Sequence, residues 1–198
     1  GLIFAASDDM EDGIIAAAKQ HPDVPMIWSS GDNAWAEGQD FLPDVKNLGN
    51  IMGRMEYGKM IAGAATALTT QTGHIGYLGP LINAETRRLA NSAYLGARYA
   101  WVNYRHKDPA DLKFDVKWIG FWFNIPGVTS DPTLVTNSFL DGGYDVVISG
   151  IDTTEALVVA GHFPTRVDAS TGPIPLNCDR ACLERVIDQY LAALVAHD

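Results

Sequence analysis

Cysteine is nearly absent from this chain: Cys178 and Cys182 are the two present in 198 residues. Two cannot make a disulfide framework. Their four-residue spacing, in a segment patterned as helix, puts both thiols on one face, a poor geometry for joining them. They read as packed or free thiols, with metal or redox use as the alternative. No apolar run reaches the roughly 18 residues expected of a membrane-spanning helix. Lys and Arg form no block. The 14 of them are scattered among 24 Asp and Glu for a net charge of −10, which argues against nucleic acid as a partner. Also missing are the phosphate loop G-x-x-x-x-G-K-[ST] and the dinucleotide fingerprint G-x-G-x-x-G. The glycines of Gly73-His74-Ile75-Gly76-Tyr77-Leu78-Gly79 flank and interrupt a strand instead. There is no G-x-S-x-G elbow for a hydrolase nucleophile, and the five histidines lack metal-ligand spacing. The chain therefore carries none of these catalytic, metal or cofactor motifs, and no cofactor is expected.

What is present is a packable chain. Apolar residues make up 47% and charged residues 19%, an ordinary balance for a folded protein. At this length roughly 70% of the unfolded surface can be buried, in one core or in two small lobes. Short apolar runs alternate with helical patterns. Leu2–Ala6 reads as a buried strand and Asp9–Gln20 as a helix that Asp8 or Asp9 can cap, with Ile14, Ala17 and Ala18 on one face. Val24–Trp28 reads as the next strand. Ser29–Asn50 is rich in turn residues and reads as loop, followed by a short strand over Ile51–Arg54. Glu56–Thr70 is helical, Gly73 stops it, and His74–Leu78 is a strand. Ala84–Tyr104 is a long helix with Ala90, Ala93, Gly96 and Ala97 on its inner stripe. Then come a strand (Asp115–Trp122), a helix (Pro132–Asp141), a strand (Tyr144–Ser149) and a helix (Thr153–Ala160). This order predicts an α/β fold of parallel sheets flanked by helices.

In such sheets ligands bind at the carboxyl ends of the strands. Trp122 and Phe123 fall where a strand runs out into Asn124-Ile125-Pro126-Gly127. They read either as a pocket wall that stacks on a flat ligand or as packing under the loop. Asp152, after the Tyr144–Ser149 run, can cap the following helix and can also accept hydrogen bonds from a ligand, because an ionised carboxylate is a pure acceptor.

Several segments in order resemble one known family. Leu2–Ala6 with Ser7-Asp8-Asp9, a helix and Asp23-Val24-Pro25-Met26 open the match. Arg54-Met55-Glu56-Tyr57-Gly58-Lys59-Met60-Ile61-Ala62-Gly63-Ala64-Ala65 and Thr72-Gly73-His74-Ile75-Gly76-Tyr77 continue it. Phe121-Trp122-Phe123, Asp131-Pro132 and Gly143-Tyr144-Asp145-Val146-Val147-Ile148 complete it. Over about residues 1–161 the chain resembles the basic membrane protein (Med-like, purine-nucleoside receptor) family, substrate-binding lipoproteins of ABC importers. The resemblance implies a periplasmic-binding-protein-like fold with two partial lobes, 1–72 and 73–161, and a hinge near Gly73. It implies a purine nucleoside or similar small polar ligand held in an interlobe cleft without chemistry. Ser7 and Asp8 would be ligand contacts of the first lobe, Asn83 and Asp152 of the second, with Trp122 as the stacking aromatic and Phe123 beside it. A membrane permease would be the protein partner, and the location periplasmic or at the cell surface as a lipoprotein.

The family's opening strand and helix have no counterpart after Gly1, and no initiator Met or signal segment is seen. The expectation is that the natural protein has more sequence upstream. From His162 the pattern departs from the family. Residues 162–198 read as a divergent loop and an amphipathic C-terminal helix from Asn177, weakly similar to the opening helix of SnoaL-like domains. Two other readings stand beside the receptor: a small hydrolase-type α/β enzyme using Asp8, Asp9, Glu11 or Asp152 as acid or base, and a truncated or chimeric derivative whose exposed strand edges are covered by homo-oligomerisation.

Overall fold

Strand β1 (Ile3–Ala5), helix α1 (Glu11–Gln20), strand β2 (Met26–Trp28) and strand β3 (Leu48–Asn50) build the first part of the chain. A computed structural model describes residues 1–162. The cysteines and the expected C-terminal helix lie outside the described residues. The three strands form a parallel sheet in the order β1-β2-β3, with Met26 beside both Ile3 and Leu48. Ile14 and Ala18, four residues apart on α1, pack with Ala5, Met26, Trp28 and Leu48. Trp28 is buried, and its indole N–H donates to the Ser7 carbonyl at 2.8 Å. Chain closure beneath this core comes from Asn47, whose amide bridges the carbonyls of Ala18, His21 and Val24.

Three expectations change here. Strand β1 is not buried: Ile3 is 43% and Phe4 54% exposed, and Ala5 alone is covered. It lies at the edge of its sheet, where continuous apolar character no longer implies cover on both faces. The third strand is Leu48–Asn50 rather than 51–54, because the pairing with β2 buries Leu48 and leaves Ile51 exposed. Neither Asp8 nor Asp9 caps α1. They form a 3-10 turn ahead of it, Asp8–Met10, and the helix starts without a side-chain cap.

A second unit runs from Glu56 onward, the first being Gly1–Met55. Its elements are α2 (Met55–Thr69), β4 (His74–Gly79), α3 (Ala84–Asn103), β5 (Lys113–Trp118), α4 (Pro132–Asp141), β6 (Val146–Ser149) and α5 (Glu155–His162). The parallel order is β5-β4-β6. Central β4 is buried from Ile75 to Gly79, and strand alternation sends its side chains two ways. Ile75 and Tyr77 meet a small-residue face made by Ala64 and Ala67 of α2 and by Ala90, Ala93 and Ala97 of α3. Leu78 meets Ile119, Val135 and Ala156 instead, and Gly76 lies under the Phe139 ring of α4, where a Cβ would come within 2.7 Å. The architecture is thus α/β, two small parallel sheets flanked by helices, as in periplasmic binding proteins.

Long-range polar contacts close the second unit. The Asp145 carboxylate accepts from the hydroxyls of Thr70 and Thr72 and from the backbone N–H groups of Gln71 (2.6 Å) and Thr72 (3.1 Å). It thereby fixes the turn from α2 into β4. Arg105 stacks on Trp101, 4.7 Å from the ring centroid, and donates to the carbonyls of Ala67 and Thr70. A cation at these last helical carbonyls is favourable. Beside the predicted site residues, β5 and α5 are each trimmed relative to what the sequence predicts. Strand β5 ends at Trp118, since Gly120 turns the chain with φ +102°, so Phe121, Trp122 and Phe123 all belong to the loop. Helix α5 begins at Glu155, and Asp152 therefore sits ahead of its N-terminal cap position.

Candidate functional site

The carboxyl end of the first sheet is polar and acidic. Asp8 accepts a hydrogen bond from Ser30 Oγ at 2.7 Å, and Ser7 contributes its carbonyl to Trp28, so the two predicted residues are held beside one another by the β1 and β2 ends. Asn50, at the end of β3, donates to the Ser30 carbonyl (2.6 Å) and accepts from the Ala34 N–H (2.7 Å). Asp32 accepts from the backbone N–H of Gln39 at 2.8 Å, shaping the loop after β2. Partial burial and then the carboxylates of Asp8, Asp40, Asp12 and Asp32 push the Glu11 carboxyl above its ordinary range. This end favours hydrogen-bond donors over anions.

In the second unit the chain leaves central β4 for β5 on one side and then returns past β4 to β6 on the other. The carboxyl ends of β4 and β6 therefore form a topological switch point, the usual place for a ligand in an open α/β sheet. Two predicted residues meet nearby: the Asp152 N–H donates to the Trp122 carbonyl at 2.9 Å. Trp122 is half-buried and Asp152 exposed. Phe123, 43% exposed, makes an edge contact with Phe121 at 4.8 Å between centroids. Asn83 is engaged locally. Its side chain accepts from the Thr86 N–H at 2.8 Å, and the Thr86 hydroxyl accepts from the Asn83 N–H, a reciprocal cap on α3. That leaves the NH2 of its amide for other partners.

Lys59 was not singled out by the sequence reading. It is the one cation of α2, on a helix otherwise patterned for the core, and that isolation was the available signal. Its ammonium donates to the Ser149 carbonyl at 2.9 Å and lies 5.6 Å from the centre of the Tyr77 ring. Burial pushes the Lys59 ammonium below its ordinary pKa, and burial raises the Tyr77 phenol to about 12. Gly150 fits tightly over Tyr77, where a Cβ would come within 2.8 Å of the phenol oxygen. Among the described residues no group of His, Cys, Asp and Glu is arranged to hold a metal ion, and no helix is long and apolar enough to cross a membrane.

The chain is similar to a Haloferax volcanii protein named "Putative ABC transporter glucose-binding protein", with 28% identity over 159 residues. The match takes in 80% of this chain and 35% of that protein, so the chain spans about a third of its relative's length. No protein-family model matches the chain.

Proposed function

We propose that this chain is part of the substrate-binding component of an ABC importer. It holds a small polar molecule without changing it chemically and presents it, outside the cytoplasm, to a membrane permease. The observation that carries this reading is the similarity to an importer's binding protein across four-fifths of the chain. The parallel-sheet architecture is compatible with it, and so are the polar strand ends. A purine nucleoside is the ligand that the basic membrane protein resemblance implies. The relative is named for glucose, which adds sugars to the candidates. In this reading Ser7, Asp8, Asn83, Trp122, Phe123 and Asp152 are the ligand contacts, Trp122 lending its ring as a flat wall.

A ligand that binds the native state alone raises its melting temperature by mass action. Titration of the whole chain with adenosine, guanosine, inosine and glucose should therefore give a saturable upward shift with at least one of them. Trp122→Ala should abolish the shift given by a nucleoside. Absence of any shift, together with turnover of one of these compounds, would overturn the receptor reading in favour of an enzyme.

A further inference from the structure

The peptide between Ser149 and Gly150, where β6 ends, is held from both sides. Its N–H, on Gly150, donates to the Leu78 carbonyl of β4 at 2.8 Å. In a planar trans peptide the C=O points the opposite way from the N–H, so the Ser149 carbonyl faces away from β4. Strand β6 is an edge strand, and no further strand stands there to answer that carbonyl. Lys59 of α2 does so, its ammonium donating to the Ser149 oxygen at 2.9 Å. A charged donor makes the stronger kind of hydrogen bond, and Lys59 is half-buried, away from bulk water. The clamp matters because glycine follows it. Gly150 has the backbone freedom to rotate this peptide, and it carries no Cβ because the Tyr77 phenol and the Leu78 carbonyl leave no room for one. Two residues further on, the Asp152 N–H donates to the Trp122 carbonyl at 2.9 Å.

We infer that Lys59 is a positioning residue for the ligand site. By fixing the Ser149–Gly150 peptide it sets the direction in which the chain delivers Asp152. Through the Asp152 N–H it also steadies the loop that carries Trp122. The inference rests on the receptor reading above, in which Asp152 and Trp122 contact ligand, and Lys59 acts through them. The ammonium also lies 5.6 Å from the centre of the Tyr77 ring, so the lysine stem and the phenol form one layer against the turn. Methionine keeps a stem of similar length and removes the donor, whereas arginine keeps a charged donor.

The test is amide hydrogen exchange on the full chain, followed by titration. In Lys59→Met the Gly150 and Asp152 amides should exchange at least tenfold faster than in the unaltered protein. The Gln71 and Thr72 amides, held by Asp145 before β4, should keep their rates. Lys59→Arg should restore slow exchange. Whichever of adenosine, guanosine, inosine and glucose binds should bind Lys59→Met at least tenfold more weakly and Lys59→Arg nearly as well as the original. In an Asp152→Ala background, Lys59→Met should cost little further affinity, because residues acting as one unit are not additive. Unchanged exchange at Asp152, or equal acceleration at Gln71 and Thr72, would overturn the inference. Faster local exchange with unchanged affinity would overturn it too, and both results leave the receptor reading standing. If none of the four compounds binds, the receptor reading falls and this inference with it.

Discussion

Helices α2 and α3 touch backbone to backbone, which makes the same substitution act with opposite sign at two places on one helix. A Cβ added at Gly63 would stand 1.8 Å from the Ala93 carbonyl oxygen and 2.7 Å from its carbon, where van der Waals contact needs roughly 3.5 Å. The obstacle is backbone, so no rotamer change relieves it, and the helices must separate. The reciprocal position is as tight, with a Cβ at Gly96 falling 2.0 Å from the Met60 carbonyl oxygen. Overpacking of this kind costs about 1–3 kcal/mol or more. Separation also loosens the alanine face over Ile75 and Tyr77. Against this stands the helix propensity of Ala over Gly, worth about 1 kcal/mol. At Gly58, also on α2, nothing lies within 4 Å of an added Cβ, so only the propensity gain acts. Gly63→Ala should therefore destabilise by about 2 kcal/mol, while Gly58→Ala stabilises by about 0.5–1 kcal/mol. Urea unfolding reads the difference. With a slope of about 2 kcal/mol/M, the midpoint should fall by about 1 M for Gly63→Ala and rise slightly for Gly58→Ala. Equal midpoint gains in the two variants would refute the close crossing.

Further outcomes follow from the same packing. Asp145→Ala should speed hydrogen exchange at the Gln71 and Thr72 amides, which lose their acceptor, with a stability loss of about 1–2 kcal/mol; unchanged exchange would remove Asp145 from its bracing role. Tyr77 carries a phenol raised from 10.0 to about 12 by burial, so the folded state holds its proton longer than the unfolded state does. Its contribution is complete below pH 10 and is lost as pH climbs toward 12, by about 3 kcal/mol. Melting temperature should fall across that window, and Tyr77→Phe should flatten the fall. Trp101, 1% exposed and hydrogen-bonded through its indole N–H to the Asp108 carbonyl, should cost about 3–5 kcal/mol on truncation to Ala. Phe4→Ser on the exposed edge strand should move stability by no more than about 0.5 kcal/mol, and equal losses by thermal melting would contradict the burial of one and the exposure of the other.

Much of the architecture was legible because it is written in local periodicity. The stripe Ala90, Ala93, Gly96 and Ala97 marked the face of α3 that does pack on the sheet. The segment His74–Leu78 reads as a strand starting right after a helix, and β4 is that strand, buried from Ile75 to Gly79. Such patterns complete themselves within a dozen residues, so the chain alone determined an α/β fold with parallel sheets. The same reasoning misjudged β1, whose apolar run reads as a strand covered on both faces but which lies at the sheet edge. It also placed the third strand at 51–54, since Ile51 is as apolar as Leu48 and only pairing with Met26 separates them.

The candidate site divides along the same line. Trp122 and Asp152 could be proposed from their positions after strands, and folding does bring their backbones together. Asn83, proposed from the family resemblance, uses its side-chain oxygen to cap α3. Lys59 and Ser149 stand 90 residues apart in sequence and meet across the fold, a contact that no local pattern encodes. Periodicity states which face of an element avoids water; tertiary closure alone decides which other element's polar groups that face must answer to.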